Sequence, residues 1–228
     1  MKHVILLSGS NGSGKTTQSR LLIKALADDE IGQPRQNKEG EKPWMYTAYP
    51  EGRLAVLGKM GSNQCTGLDA VYGNLGADGV TLSLKRALED EDVEIIIVDC
   101  IFATISWYKK WQAANLREKF KLIVVHFELT LWENFKRISQ RQAVKLRAKG
   151  KEIDWWDVHL KDTVYKNVGS KNRETRNIYL KLIGQHPNAK QNCNPTANHF
   201  LQVKAVWKKQ QIHQMIIQKL GQSLKSNG

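Results

Sequence analysis

Residues 3–17 read His3-Val4-Ile5-Leu6-Leu7-Ser8-Gly9-Ser10-Asn11-Gly12-Ser13-Gly14-Lys15-Thr16-Thr17, and they decide the fold. The apolar run Val4 to Leu7 has the length and composition of a buried strand. Gly9, Gly14, Lys15 and Thr16 then fill every fixed position of the pattern G-x-x-x-x-G-K-[ST]. Ser10, Asn11, Gly12 and Ser13 keep the turn small or polar, so main-chain N–H groups can converge on a phosphate without Cβ clashes. Gln18 to Leu26 continues as a helix with Leu22, Ala25 and Leu26 on one face. Its N-terminus turns unpaired N–H groups and the positive end of its dipole toward the same anion. Lys15 is the residue expected at the β- and γ-phosphates, and the Thr16 hydroxyl the one expected at Mg²⁺. A strand before the turn and a helix after it separate such a loop from a chance glycine-rich turn. Residues Gly9 to Thr17 are therefore the expected nucleotide-binding set, with ATP and Mg²⁺ as cofactors.

The 228 residues around this loop suffice for a full core, and one α/β domain spanning residues 1–228 is expected. Apolar residues make up 41% of the chain and mean hydropathy is −0.49, as in a protein folded in water. Met1-Lys2-His3 leads directly into the first strand, and no apolar run approaches membrane-spanning length, so neither a leader nor an anchor is expected. Cys65, Cys100 and Cys193 are distant and odd in number, which favours a reducing compartment over disulfides or a zinc site.

Charge is spread unevenly. Residues 1–104 hold 11 Lys and Arg against 14 Asp and Glu, whereas residues 105–228 hold 24 against 8. The halves are thus −3 and +16 within a total of +13. A single nucleotide does not need so basic a half. It reads as a footprint for a polyanion such as nucleic acid, or as a solvated surface that aids solubility.

Further along, residues 28–43 are polar, contain Gly32, Pro34, Gly40 and Pro43, and read as a surface loop. Trp44 to Tyr49 reads as a strand closed by Pro50. Met60 to Gly79 contains five glycines and reads as a substrate loop or as a flexible connector. Together with Glu51 and Arg53 it defines an expected acceptor loop at about 50–79. Val80 to Asp92 is helical, with Val80, Leu84, Ala87 and Leu88 on one face. Val93 to Asp99 is a β-branched run of the kind buried on both faces of a parallel sheet. It ends in Asp99, at the edge where ligands of such sheets bind, so Asp99 joins Thr16 as a metal candidate, acting through water.

A helix is expected over Ile101 to Lys119 and a strand over Lys121 to Glu128, with His126 a packed strand residue rather than a catalyst. The helix from Leu131 to about Ala148 carries Arg137 and Arg141, and another helix is expected from Asp162 to Leu182. The basic interruption between them marks a lid at about 147–161. Arg137 and Arg141 are candidates for neutralising charge on a transferred phosphoryl group, or are surface charges. Trp155 and Trp156 in that lid can stack on a base or pack within the lid. His199 to Val203 reads as a last strand and Val206 to Leu220 as a last amphipathic helix. The order of elements predicts an α/β, three-layer arrangement of four or five parallel strands with helices on both faces.

The phosphate loop, the Asp99-ended strand and the arginine-rich helix, lid and helix together resemble the thymidylate-kinase-like branch of P-loop kinases. The Asp-Arg pair usual there after the central strand is absent, with Asp99-Cys100-Ile101 in its place. Tyr49-Pro50-Glu51-Gly52-Arg53 and Gly58-Lys59-Met60-Gly61 through Gln64-Cys65-Thr66-Gly67-Leu68-Asp69 look like the acceptor region of phage 5-hydroxymethyluracil DNA kinases. That resemblance implies an ATP-dependent kinase acting on DNA that contains a hydroxymethylated base, in thymine hypermodification in the infected bacterial cytoplasm. Asp69, Glu51 and Asp99 are then candidates, in falling order, for orienting the acceptor hydroxyl, although Asp69 reads equally as a turn residue. Glu51, Arg53 and Asp69 are the expected substrate contacts. The turn before the last helix lies where related P-loop kinases hold adenine. A kinase for a free nucleotide or other small molecule, and a nucleic-acid-binding ATPase, remain the alternatives.

Overall fold

The computed structural model describes residues 1–10, 12–28, 30–36, 44–60, 65–67, 69–100, 110, 113–154, 164–185, 199–204 and 207–225. Among them the chain forms β1 (Lys2–Gly9), α1 (Lys15–Ala27), β2 (Gln33–Gln36), β3 (Met45–Tyr49) and β4 (Leu54–Leu57). A short pair, β5 (Lys59–Met60) and β6 (Cys65–Gly67), precedes α2 (Asp69–Glu89) and β7 (Ile95–Cys100). Then come a 3₁₀ turn (Arg117–Lys119), β8 (Phe120–Glu128), α3 (Leu131–Ala148), α4 (Val164–Leu182), β9 (His199–Lys204) and α5 (Lys209–Lys225).

Seven strands form one sheet in the order β2-β3-β4-β7-β1-β8-β9. The five from β4 to β9 are mutually parallel, while β3 runs antiparallel to both β2 and β4. The β-branched runs form the centre of this sheet because each residue meets a helix on one face or the other. Ile5, Leu7, Ile97 and Val125 pack with Leu22 of α1 and Ile212 and Ile216 of α5. Val4, Leu6, Ile96 and Val124 point the other way, onto Leu84 of α2 and Ile178 and Leu182 of α4. The result is the three-layer α/β/α architecture expected from the order of elements, extended by an antiparallel edge. Each of these fully buried aliphatic side chains contributes roughly 1.5–3 kcal/mol of transfer free energy.

Two local expectations change. The polar stretch 28–43 contains β2, paired Gln33↔Ala48 through Gln36↔Met45. Pro34 is tolerated because β2 is the edge of the sheet, where a missing N–H breaks no continuing ladder. The glycine-rich stretch 60–79 is largely structured: β6 and the first half of α2 run through it. Glycine costs a helix interior about 1 kcal/mol relative to alanine, a weak prior that surrounding packing overrides. The later half of α2 follows the sequence pattern, with Val80, Leu84 and Ala87 fully buried and Leu88 nearly so.

α3 opens with a capping arrangement, the Thr130 side chain accepting from the Glu133 N–H at 3.2 Å. It closes beside Gly150, whose N–H donates to Arg147 O. Most of the helix expected over 101–119, and lid residues 155–161 with Trp155 and Trp156, lie outside the described residues. No helix among the described residues is long and apolar enough to cross a membrane.

Candidate active site

β1 delivers the glycine-rich turn to the carboxyl edge of the sheet, between the ends of β7 and β8. Gly9 lies so close to its neighbours that a Cβ there would stand 2.9 Å from Ser13 Oγ and 3.0 Å from the Phe127 carbonyl oxygen. Gly14 is the N-cap of α1 with φ 95°, a left-handed conformation that disfavours any side chain. The turn closes with Ser13 N–H donating to Ser10 O, and α1 starts with Gln18 N–H donating to Gly14 O. Asn11 lies outside the described residues.

Lys15 is buried, and its ammonium is held over the turn. Nζ donates to Gly9 O at 2.8 Å, Ser10 O at 2.8 Å and Ser13 Oγ at 3.4 Å. A buried ammonium requires such acceptors, and here they are the loop atoms that the sequence assigns to phosphate binding. Thr16 follows on the first turn of α1, and its hydroxyl donates to Asp99 Oδ2 at 2.7 Å. Ser19 Oγ donates to the same oxygen at 3.3 Å. The register Leu7↔Asp99 brings the β7 carboxylate beside the loop, where it is 8% exposed. A hydroxyl and a carboxylate in contact suit a hard cation such as Mg²⁺. Among the described residues no group of three or more His, Cys, Asp or Glu side chains could hold a metal alone. A cation at Thr16 and Asp99 would therefore take its remaining ligands from phosphate and water.

α3 lays its first two turns on the opposite side of the loop. Arg137 Nη1 donates to Gly12 O at 3.1 Å, so this arginine reaches the glycine-rich turn. Arg141, one turn further on, is exposed. Asn134, fully buried, was not singled out by its sequence pattern. Its Nδ2 donates to Ser10 Oγ at 2.9 Å and to Asn172 Oδ1 at 3.1 Å. Asn172 Nδ2 donates in turn to Leu129 O at 3.5 Å. This chain of bonds ties the loop to α3, to α4 and to the end of β8. Asn134 Oδ1 is buried with no hydrogen-bond partner among the described residues and faces Gly12, 3.8 Å from where a Cβ on that glycine would stand. The available signal was a polar residue three positions before Arg137 on a helix entering straight from a strand.

His126 pairs with Ser8 in the β1–β8 register and stacks on Tyr179 with ring centroids 4.6 Å apart. Burial, and secondarily the charges of Lys15 and Arg176, push its pKa down to about 4. It is a neutral packed ring, in line with the strand role expected of it. Gln18 of α1 donates from Nε2 to Lys209 O at 3.0 Å, fastening the loop helix to the start of α5. Trp207, half-buried, sits in the turn just before.

Two of the expected substrate residues, Glu51 and Arg53, lie away from the loop. Arg53 and Glu51 precede β4, which runs parallel to β7 with Leu54 opposite Ile95. They therefore lie at the amino edge of the sheet, with Arg53 level with Glu94 and so five strand residues from the level of Asp99, about 16 Å at ~3.3 Å per residue. Arg53 Nη2 pairs with Glu94 Oε1 at 3.1 Å, and Arg53 O accepts from Glu94 N–H and Ile95 N–H. Its part is to join β4 to β7, not to meet a ligand at the loop, and Glu51 is corrected with it. Asp69 starts α2, and its side chain lies outside what is described.

No protein-family model matches this chain, and no curated protein matches it. Among solved structures, a fungal RNA kinase is similar over 97% of this chain and 86% of its own, at 13% identity and a TM-score of 0.47. Deoxyadenosine kinase from M. mycoides, solved with bound dATP, is similar over 96% and 99% respectively, at 15% identity and a TM-score of 0.39.

Proposed function

We propose that the chain is an ATP-dependent phosphotransferase whose acceptor is the 5-hydroxymethyl group of hydroxymethyluracil in DNA. The observation that carries the phosphotransfer reading is the convergence of Lys15, the Thr16–Asp99 pair and Arg137 on one loop. The polymeric acceptor is supported by the +16 of residues 105–228, which a free nucleotide does not require.

The acceptor hydroxyl oxygen attacks the γ-phosphorus, its O–P bond forming as the bridging bond to the β-phosphate breaks and ADP leaves. Such transfer needs little bond-making help from the protein, so positioning and charge neutralisation carry the rate. Main-chain N–H groups of the loop and the start of α1 bind the phosphates. Lys15 exchanges loop carbonyls for phosphate oxygens, where its charge counters negative charge on the moving group. Arg137 stands across the loop for the same purpose, with Arg141 one turn beyond. When bound at Thr16 and Asp99, Mg²⁺ supplies neutralising charge to the phosphate oxygens. Asp69 heads the order of groups for taking the hydroxyl proton, since Asp99 is engaged by Thr16 and Ser19.

The test is transfer of labelled γ-phosphate to hydroxymethyluracil DNA, unmodified DNA and free hydroxymethyl-dUMP. Label confined to hydroxymethyluracil DNA is the expected result. Label on the free nucleotide instead would move the acceptor to the small-molecule class, and ATP hydrolysis stimulated by any DNA without transfer would make the chain an ATPase.

A further inference from the structure

We infer that the outer face of α3 docks single-stranded DNA, with Trp132 as the platform on which one base stacks and Lys136 and Arg147 as contacts for flanking phosphates. The inference deepens the proposed function and rests on its polymeric acceptor. Trp132 lies in the first turn of α3 and is 69% exposed, with Leu131 beside it at 56%. Phe135 stacks on the Trp132 ring with centroids 6.0 Å apart and planes at 22°. The indole is thereby braced on one side and left to solvent on the other. A braced, exposed ring face loses little side-chain entropy when a base covers it, and stacking accepts any base.

Position and charge identify the occupant. Trp132, Lys136, Gln140 and Arg147 fall on one stripe of the helix, at spacings of 4, 8 and 15 residues, and the last three are exposed. The stripe runs about 22 Å at 1.5 Å per residue. Among the described residues neither Lys136 nor Arg147 takes part in an ion pair; those found, such as Arg53–Glu94 and Lys110–Asp78, lie elsewhere. The stripe carries two cations, Lys136 and Arg147, and no carboxylate, so it complements a phosphate backbone. Its inner side touches the nucleotide loop from the same turns, through Asn134 to Ser10 and Arg137 to Gly12. A base on Trp132 thus lies about one helix diameter, ~10 Å, from the phosphate site. The strand must be single, because a base paired in a duplex offers no free face to the indole.

The experiment is an anisotropy titration, without ATP, of a fluorescein-labelled single-stranded 16-mer and of its duplex across a salt series. The wild-type chain should bind the single strand more tightly than the duplex. Trp132→Ala should weaken single-strand binding by roughly 5- to 100-fold, with an unchanged melting temperature because the residue is exposed. Trp132→Phe should recover most of that loss. Lys136→Gln with Arg147→Gln should flatten the slope of log K against log salt by about 1.4, or ~0.7 per phosphate contact. Wild-type affinity in Trp132→Ala, or a wild-type preference for the duplex, overturns the inference. With ATP left out, failure of phosphate transfer does not bear on this result, nor does failure of docking bear on transfer.

Discussion

Asn134 offers the sharpest test of how the loop is held. Asn172 donates through Nδ2 to Leu129 O, so its Oδ1 faces Asn134, and only the Nδ2 side of Asn134 can answer it. Asn134→Ala removes that bond and the bond to Ser10 Oγ, at ~1 kcal/mol each. A small cavity at a fully buried position adds about 1 kcal/mol more. Against this, the substitution also removes the buried Oδ1, which has no partner among the described residues, returning ~1 kcal/mol. The net loss is ~2 kcal/mol, or a fall in melting temperature of about 4–8 °C for a chain of this length. Asn134→Asp, nearly identical in shape, should cost more at neutral pH. Its carboxylate cannot donate, and one of its oxygens faces Asn172 Oδ1, an acceptor, at a fully buried position. Urea midpoints of the three proteins at pH 7 give the order wild type, then Ala, then Asp. An Asp variant as stable as wild type would refute these hydrogen-bond directions.

Three further outcomes follow from single contacts. Asp99→Asn should raise the Mg²⁺ concentration for half-maximal activity roughly tenfold or more, as loss of an outer-sphere carboxylate does; an unchanged metal titration would remove Asp99 from the site. Arg53→Ala should leave turnover unaltered and cost no more than ~1 kcal/mol, because its ion pair with Glu94 is half exposed on both sides; a large rise in acceptor KM would restore it as a substrate contact. His126 has a folded pKa of about 4, below the ~6.5 of an unfolded histidine, so the folded state binds fewer protons between those values. Its contribution is intact above pH 6.5 and is lost as pH falls toward 4, ~3 kcal/mol in all, so His126→Phe should flatten the stability profile across that window; parallel profiles would contradict the assignment.

What the sequence made legible was local. Strand, glycine turn and helix at residues 3–26 are contiguous, so their pattern carries the structure, and the position of Asp99 beside Thr16 followed from its ending a β-branched run. Arg53 was misplaced for a topological reason. Leu54 to Leu57 is too short an apolar run to announce a parallel strand, yet whatever precedes such a strand lies at the edge away from the loop. β2 was hidden by Pro34 and its polar neighbours, which an edge strand tolerates. Asn134 meets Ser10 across 124 residues of sequence. No periodicity encodes that contact; it exists because α3 leaves β8 directly beside β1.

The proposed function requires that Lys15, held on the loop carbonyls, act on the γ-phosphate. The most direct measurement is the rate of labelled γ-phosphate transfer by Lys15→Ala beside the wild-type chain, on whichever acceptor the wild type labels. A folded variant slowed by ~10²–10³, as for loss of a single transition-state donor, is the predicted result. A folded Lys15→Ala protein with near-normal transfer would contradict it.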